Sequence, residues 1–212
     1  MKTISIQEIA TSLKVRLKEP LPGKTAHDLA RVQAEPPFNF RKSDELSVPA
    51  AVLILLFPIK TGISFFLTER TKLVEHHKGQ ISLPGGAWEV GEKLEETALR
   101  ETEEEIGVPR SVVRIIGSLT PYFTFVTGFM VHPFVGWCDH RPVAAPHARE
   151  VKTLFSVTVE QLLKDQLFKT EKRSLGKHRA EIPHFHFGDH KIWGVTGAIL
   201  SEFKWILKEI LS

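Results

Sequence analysis

Cysteine is almost absent from this chain: Cys138 is the only one in 212 residues, so no internal disulfide can form. No redox or nucleophile motif surrounds Cys138, which reads as a small buried side chain. Long apolar runs are missing too. The longest, Val48 to Phe57, is about half of the roughly 20 residues that a membrane-spanning helix requires, and it predicts a buried strand. The opening MKTISIQEIA has no apolar core of the kind a signal peptide carries, which together with the lone thiol predicts a reducing, cytoplasmic setting. Dense basic tracts, internal repeats and low-complexity segments are also lacking. The net charge of +3 comes from scattered Lys and Arg, an arrangement that suits a small phosphorylated substrate better than nucleic acid or a membrane surface.

What is present is ordinary for a globular protein. With 42% hydrophobic and 25% charged residues, the chain can bury one sizeable core. Ser5 followed by Glu8 predicts a capping box opening a helix with Ile6, Ile9, Leu13 and Leu17 on its apolar face, ended by Pro20. The Pro- and charge-rich stretch 20–47 predicts a surface connector with one short helix around His27 to Ala34, and the folded core is expected to begin near Val48. The expected division is therefore 1–47, N-terminal helix and connector, and 48–212, the main folded domain. Apolar, partly β-branched runs at Ala50 to Phe57 and Ile63 to Thr68 predict two paired strands around PIKTG. Further strands are expected over Val112 to Leu119 and Phe129 to Trp137, a short helix over Val159 to Lys164, and a hairpin around Gly188-Asp189. The spacing of Ile199, Phe203, Ile206, Leu207 and Ile210 predicts a C-terminal helix.

The chemistry concentrates in one stretch. Seven glutamates fall between Glu92 and Glu105, with only Lys93 and Arg100 to oppose them. On a helix over Lys93 to Ile106, Glu101, Glu104 and Glu105 share an arc of roughly 100°, while Ala98, Leu99, Thr102 and Ile106 occupy the neighbouring arc and can pack on a sheet. Clustered carboxylates repel one another unless a cation joins them, and hard oxygen ligands suit Mg²⁺ or Mn²⁺. A Glu cluster alone would more often be a solvated helix face. The flanks argue otherwise: Gly85-Gly86 allows close backbone approach, Gly107 is a natural helix stop, and Arg100 stands four residues before Glu104.

Gly86, Glu92 and the run Arg100-Glu101-Thr102-Glu103-Glu104-Glu105-Ile106-Gly107-Val108 resemble the Nudix box, GX5EX7REUXEEXGU, at every spacing, with Thr102 at the first bulky aliphatic position. The resemblance implies an α/β (α+β) fold, an α/β/α sandwich around a mixed sheet with an N-terminal helical extension here, and a hydrolase that splits pyrophosphate bonds. It further implies that Glu101, Glu104 and Glu105 hold the metal, and that Glu92 and Arg100 organise the loop and helix. Leu67 to Arg70, His77, Gly79-Gln80-Ile81 and Pro84-Gly85-Gly86 resemble the upstream signature of coenzyme A diphosphatases. Similarity continues through Pro121-Tyr122, Gly128-Phe129, Glu150-Val151 and Ile192 to Thr196. By that resemblance Arg70, His77, Gln80, Gly85 and Gly86 bind substrate. Thr71, Leu83 and Glu75 depart from the signature, Glu75 by reversing a charge.

The expected substrate is coenzyme A or acyl-coenzyme A, giving 3',5'-ADP and 4'-phosphopantetheine; a sugar or dinucleotide conjugate of a nucleoside diphosphate is the alternative. A non-catalytic binding module would have a broken box, which this is not. A homodimer and the identity of the general base stay open, with Glu150 one candidate for the base. His184, His186 and His190 in PHFHFGDH read as the polar face of a strand rather than a metal site, and Trp193 as packing or as a stacking platform for adenine.

Overall fold

A computed structural model of the chain describes residues 4–36, 47–71, 80–125, 127–175 and 178–212. His77 and Glu75 lie outside the described residues. The organising element is strand β2 (Val48–Ile59), whose side chains alternate between two cores. Ala50, Ile54 and Leu56 join one cluster of buried residues, and Ala51, Leu53, Leu55 and Phe57 join the other. A strand covered on both faces reads as a continuous apolar run, which is why 48–57 is the longest in the sequence.

Around β2 the chain builds a mixed sheet. β3 (Gly62–Arg70) pairs with β2 antiparallel through a tight turn, and β8 (Phe129–Trp137) pairs with it parallel along its whole length. β4 (Ile81–Ser82), β6 (Arg114–Ser118), β7 (Tyr122–Phe123) and β9 (Val151–Thr158) extend this sheet, and β5 (Gly85–Ala87) is added to β2. A second, smaller sheet has β1 (Gln33–Glu35), β11 (His178–Phe187) and β10 (Phe168–Leu175) in that order, with β12 (His190–Ile192) also on β11.

One face of the large sheet carries α3 (Leu94–Ile106), through Ala98 and Ile106. The other carries α1 (Ile6–Arg16) and α5 (Gly194–Leu211), whose Ile9, Leu13, Ile199, Phe203, Ile206 and Leu207 are wholly or almost wholly buried in the first cluster. Helices on both sides of a mixed sheet make the expected α/β/α sandwich. The capping box at α1 is present: Glu8 N–H donates to Ser5 Oγ at 3.2 Å, and Ser5 N–H to Glu8 Oε2 at 2.7 Å.

The core begins earlier than expected. Ile6, Ile9 and Leu13, together with Ala26 and Ala30, are buried, so residues before Val48 contribute to the interior. The connector also differs from its expected form. Helix α2 (Lys24–His27) continues as one 3₁₀ turn over Asp28–Ala30, and the chain then becomes β1, pairing with Ala180 and its neighbours on β11. That strand exists because a distant edge is available to pair with it, information absent from residues 27–34. β9 and β10 likewise lack a clean alternation of apolar and polar residues that would mark them as strands. In the late hairpin, Phe185 and Phe187 are buried as expected, but His184 is also buried, its Nδ1 at 3.2 Å from the Ile182 carbonyl. The simple polar-face reading of that strand is therefore corrected at His184: the second sheet lies against further structure on both sides there.

Because Ile9 is fully buried in the main core, Ile9→Ala is expected to lower unfolding free energy by about 2–5 kcal/mol in a urea titration. A loss below about 1 kcal/mol would mean that α1 is a peripheral attachment.

Candidate active site

Helix α3 forms where Leu, Ala, Glu and Arg of high helix propensity follow one another. Glu96 accepts from Lys93 N–H at 2.7 Å at its start, and Glu95 and Glu96 place negative charge at the positive end of the helix dipole. It stops at Gly107, whose φ of 69° closes the helix in the left-handed region. Thr102, in the unusual aliphatic slot, is buried and returns its hydroxyl to the Ala98 carbonyl at 2.7 Å, so it fills the space without leaving a polar group unmet.

Facing the helix is the turn Pro84-Gly85-Gly86. A Cβ on Gly85 would stand 2.2 Å from the Ala51 carbonyl oxygen, and one on Gly86 would stand 2.4 Å from the carboxyl carbon of Glu101. At Gly85 only glycine permits this approach to β2, while a Cβ at Gly86 would push the Glu101 carboxylate out of its present position.

Arg100 holds the first turn of this assembly together. Its guanidinium donates to both oxygens of Glu92, at 2.9 and 3.1 Å, and also to the Ala87 carbonyl at 3.0 Å. The same group donates to Glu101 at 2.9 Å and to Glu104 at 3.2 Å. The fork-to-fork pair with Arg100 is the main reason the Glu92 carboxyl falls to about 2, and Arg100 is correspondingly pushed up, chiefly by Glu92.

Glu105 sits deeper, 2% exposed, between Arg70 Nη1 at 3.1 Å and the Gly85 N–H at 3.2 Å. Burial outweighs both contacts and raises its carboxyl to about 7, with Glu101 and Glu150 adding repulsion. Glu101 is raised too, first by burial, against the pull of Arg100, and then by the charges of Glu104 and Glu150. Glu150 thus stands within electrostatic reach of both carboxylates, on the loop whose Glu150 carbonyl accepts from Thr71 N–H at 2.9 Å; His147 Nδ1 is 3.4 Å from its side chain. Glu104 is not drawn to the glycine turn: its side chain is 56% exposed beside Arg100.

A glycine turn pressed on an acidic helix, with an arginine clasping the loop, is the arrangement that the box motif implies. The NUDIX domain family matches residues 47–177. The chain belongs to the Nudix hydrolase family. It is 35% identical over 161 residues to Nudix hydrolase 15, mitochondrial, of Arabidopsis thaliana, covering 71% of this chain and 55% of that protein. It is 30% identical over 168 residues to the uncharacterized Nudix hydrolase NudL of Photorhabdus laumondii, covering 79% of this chain and 88% of that one. The chain spans only about half the length of the Arabidopsis relative. The crystal structure of a MutT protein from Methanosarcina mazei Go1 has a similar fold, with a TM-score of 0.50 and 17% identity over 80% of this chain and 96% of that one.

Beside the Nudix helix opens a cavity of about 1290 Å³. Arg70, Gln80, Gly85 and Gly86 line it, so four of the five residues expected at the substrate come together there. Most of its wall is apolar or aromatic, including Tyr122, Phe125, Phe129 and Trp193. Trp193 is therefore a cavity residue, half-buried, rather than a core one. The sequence reading missed residues 30–34 and Lys191 of this wall, for which no local signal exists. Among the described residues no helix is long and apolar enough to cross a membrane.

The raised carboxyl of Glu105 has a consequence for stability. Its value in the unfolded chain is near 4.5 and in the folded protein about 7, so the folded state binds the proton more tightly. The stabilising contribution of that proton is fully present below 4.5 and lost as pH rises through 7. With a chelator present, Glu105→Gln is expected to gain on the wild type across this window by about 3 kcal/mol in unfolding free energy, and a pH-independent difference would contradict it.

Proposed function

We propose that this chain hydrolyses the pyrophosphate bond of a nucleoside diphosphate derivative with Mg²⁺ or Mn²⁺, and that its substrate is coenzyme A or an acyl-coenzyme A. The products are then 3',5'-ADP and 4'-phosphopantetheine or its acyl form. The observation that carries the reading is the junction of two features: carboxylates of the Nudix helix at the glycine turn, and a large apolar cavity opening from that same turn.

The residues fit a hard divalent cation. Glu101 and Glu105 offer carboxylate oxygens whose mutual repulsion and burial a cation would relieve, as their raised carboxyls indicate. Among the described residues no three acidic, His or Cys side chains are already gathered closely enough to hold a metal ion, so binding would reorient at least one of them. Glu101 and Glu105 are the proposed ligands, and Glu104 the third once it leaves Arg100. The bound ion would supply charge neutralisation of the diphosphate and a more acidic water.

The chain's own residues do the rest. Arg70 Nε is a buried donor with no partner among the described residues, and a phosphate oxygen would satisfy it. Arg100 and Glu92 hold the helix and turn in register. A carboxylate not committed to the cation takes the proton from the attacking water, and Glu150 is the loop residue whose charge reaches both proposed ligands. The largely apolar wall, with a few polar groups such as Gln80, Thr124 and Lys191 among it, suits the long, weakly polar arm of phosphopantetheine. A sugar or dinucleotide conjugate is the competing reading, favoured only by the charge reversal at Glu75.

In an assay with Mg²⁺ and mass-spectrometric identification of products, coenzyme A should yield 3',5'-ADP, and removal of its 3'-phosphate should lower kcat/KM. Equal or better turnover of nucleotide sugars or dinucleotides would overturn the substrate assignment. Glu101→Gln and Glu105→Gln should each cut kcat by several orders of magnitude while the protein stays folded, and EDTA should abolish activity until Mg²⁺ or Mn²⁺ is returned. Near-wild-type turnover in either variant at limiting Mg²⁺ would remove that residue from the site.

A further inference from the structure

The cavity beside the Nudix helix exceeds the roughly 300–1,000 Å³ typical of small-molecule sites, at about 1290 Å³. Part of its wall comes from residues 30–34, which precede the segment 47–177 matched by the NUDIX domain. Ala34 and Val32 are half-buried there, on or next to the short strand β1 that pairs with β11.

Just ahead of this wall the chain is fastened by a buried node. Glu202 of α5 is completely buried and accepts four hydrogen bonds: from Gly23 N–H at 3.0 Å, His27 Nε2 at 3.1 Å, Thr120 N–H at 3.1 Å and Thr120 Oγ1 at 2.6 Å. Two of these donors lie just ahead of the wall, and two lie just ahead of Tyr122, itself a cavity residue. The His27 ring meets the Tyr122 ring edge-on at 5.2 Å, and Ala30 is buried near Gly197 of α5. A carboxylate taken wholly out of water is held only when its acceptor sites are filled, so the node joins α5, the N-terminal segment and the approach to β7 as one unit.

We propose that residues 30–34 are a specificity-determining wall of the substrate site, limiting the apolar arm carried on the diphosphate, and that Glu202 is the positioning residue that holds this wall in place. The inference rests on the reading that the cavity receives the non-nucleotide half of the substrate. Ala34 is the natural probe, because its small side chain leaves room that a larger one would fill.

The test compares free coenzyme A with its butanoyl and dodecanoyl thioesters in wild type, Ala34→Trp, Ala34→Leu and Glu202→Gln, with Tm measured for each. Ala34→Trp should lower kcat/KM for the dodecanoyl thioester at least tenfold more than for free coenzyme A, with the difference carried by KM. Ala34→Leu should show the same ordering with a smaller loss, and it decides the matter if the Trp variant does not fold. Glu202→Gln keeps an acceptor oxygen but turns an amide N–H₂ toward donors; it should lower Tm and change the dodecanoyl-to-free ratio of kcat/KM at least threefold. Equal losses on all three compounds, or none, would overturn the wall. A Glu202→Gln protein that is less stable yet keeps the wild-type ratio would reduce Glu202 to a purely structural residue. Should the wild type cleave no coenzyme A compound, the substrate reading fails, and the wall is judged by binding of anilinonaphthalene sulfonate. Binding at least fivefold weaker in the Ala34 variants would uphold it; equal binding, or none to the wild type, would overturn it.

Discussion

The seating of Gly85 and Gly86 between β2 and the acidic helix is the constraint on which the site depends. A Cβ at Gly85 would strike the backbone of Ala51 and Val52, and one at Gly86 would displace the Glu101 carboxylate from its place. From this contact the rest follows. β5 can add to β2, the Gly85 N–H can reach Glu105, and the Ala87 carbonyl falls within reach of Arg100. One close approach of backbone to helix thus aligns a hydrogen-bonded loop, an arginine clasp and two carboxylates.

That geometry has an energetic cost, and the location of the cost is informative. Arg100 and Glu92 stabilise each other, whereas Glu105 is held against its own burial, with Arg70 and the Gly85 amide compensating only in part. Folding alone would be served better by a neutral residue at 105. A buried carboxylate at such a position, beside another raised carboxyl at Glu101, fits the cation of the proposed function, whose charge would offset both.

The large sheet separates two tasks. On one side α3 presents the carboxylates, anchored by Ala98 and Ile106. On the other, α1 and α5 build the larger core, and α5 carries Glu202, which ties the N-terminal segment to the cavity wall. The glycine turn lies where these meet, belonging to the cavity lining while touching Glu101 and Glu105. Under the proposed function, the reacting bond and the rest of a substrate are addressed by different parts of the chain.

By itself, the sequence determined what local periodicity and motif spacing can carry. Helix α3 and its Gly107 stop, the capped helix α1, strands β2, β3 and β8, and the fit of the Nudix box all rest on residues a few positions apart. The burial of Thr102 and of Cys138, whose thiol burial pushes up to about 11, also followed from residue type. Only tertiary structure decided what depends on distant partners. β1 is a strand because β11 offers it an edge, and Glu150 matters because its loop folds back toward α3. Glu105 is the deeply buried carboxylate and Glu104 the exposed one, although both lie on the same arc of one helix, because the sheet and Arg70 reach one and not the other. The cavity wall at residues 30–34 has no local signature either: β1 is held by pairing with β11, and just upstream His27 bonds to a glutamate 175 residues away, contacts whose cost in chain entropy is met only when the whole core has formed.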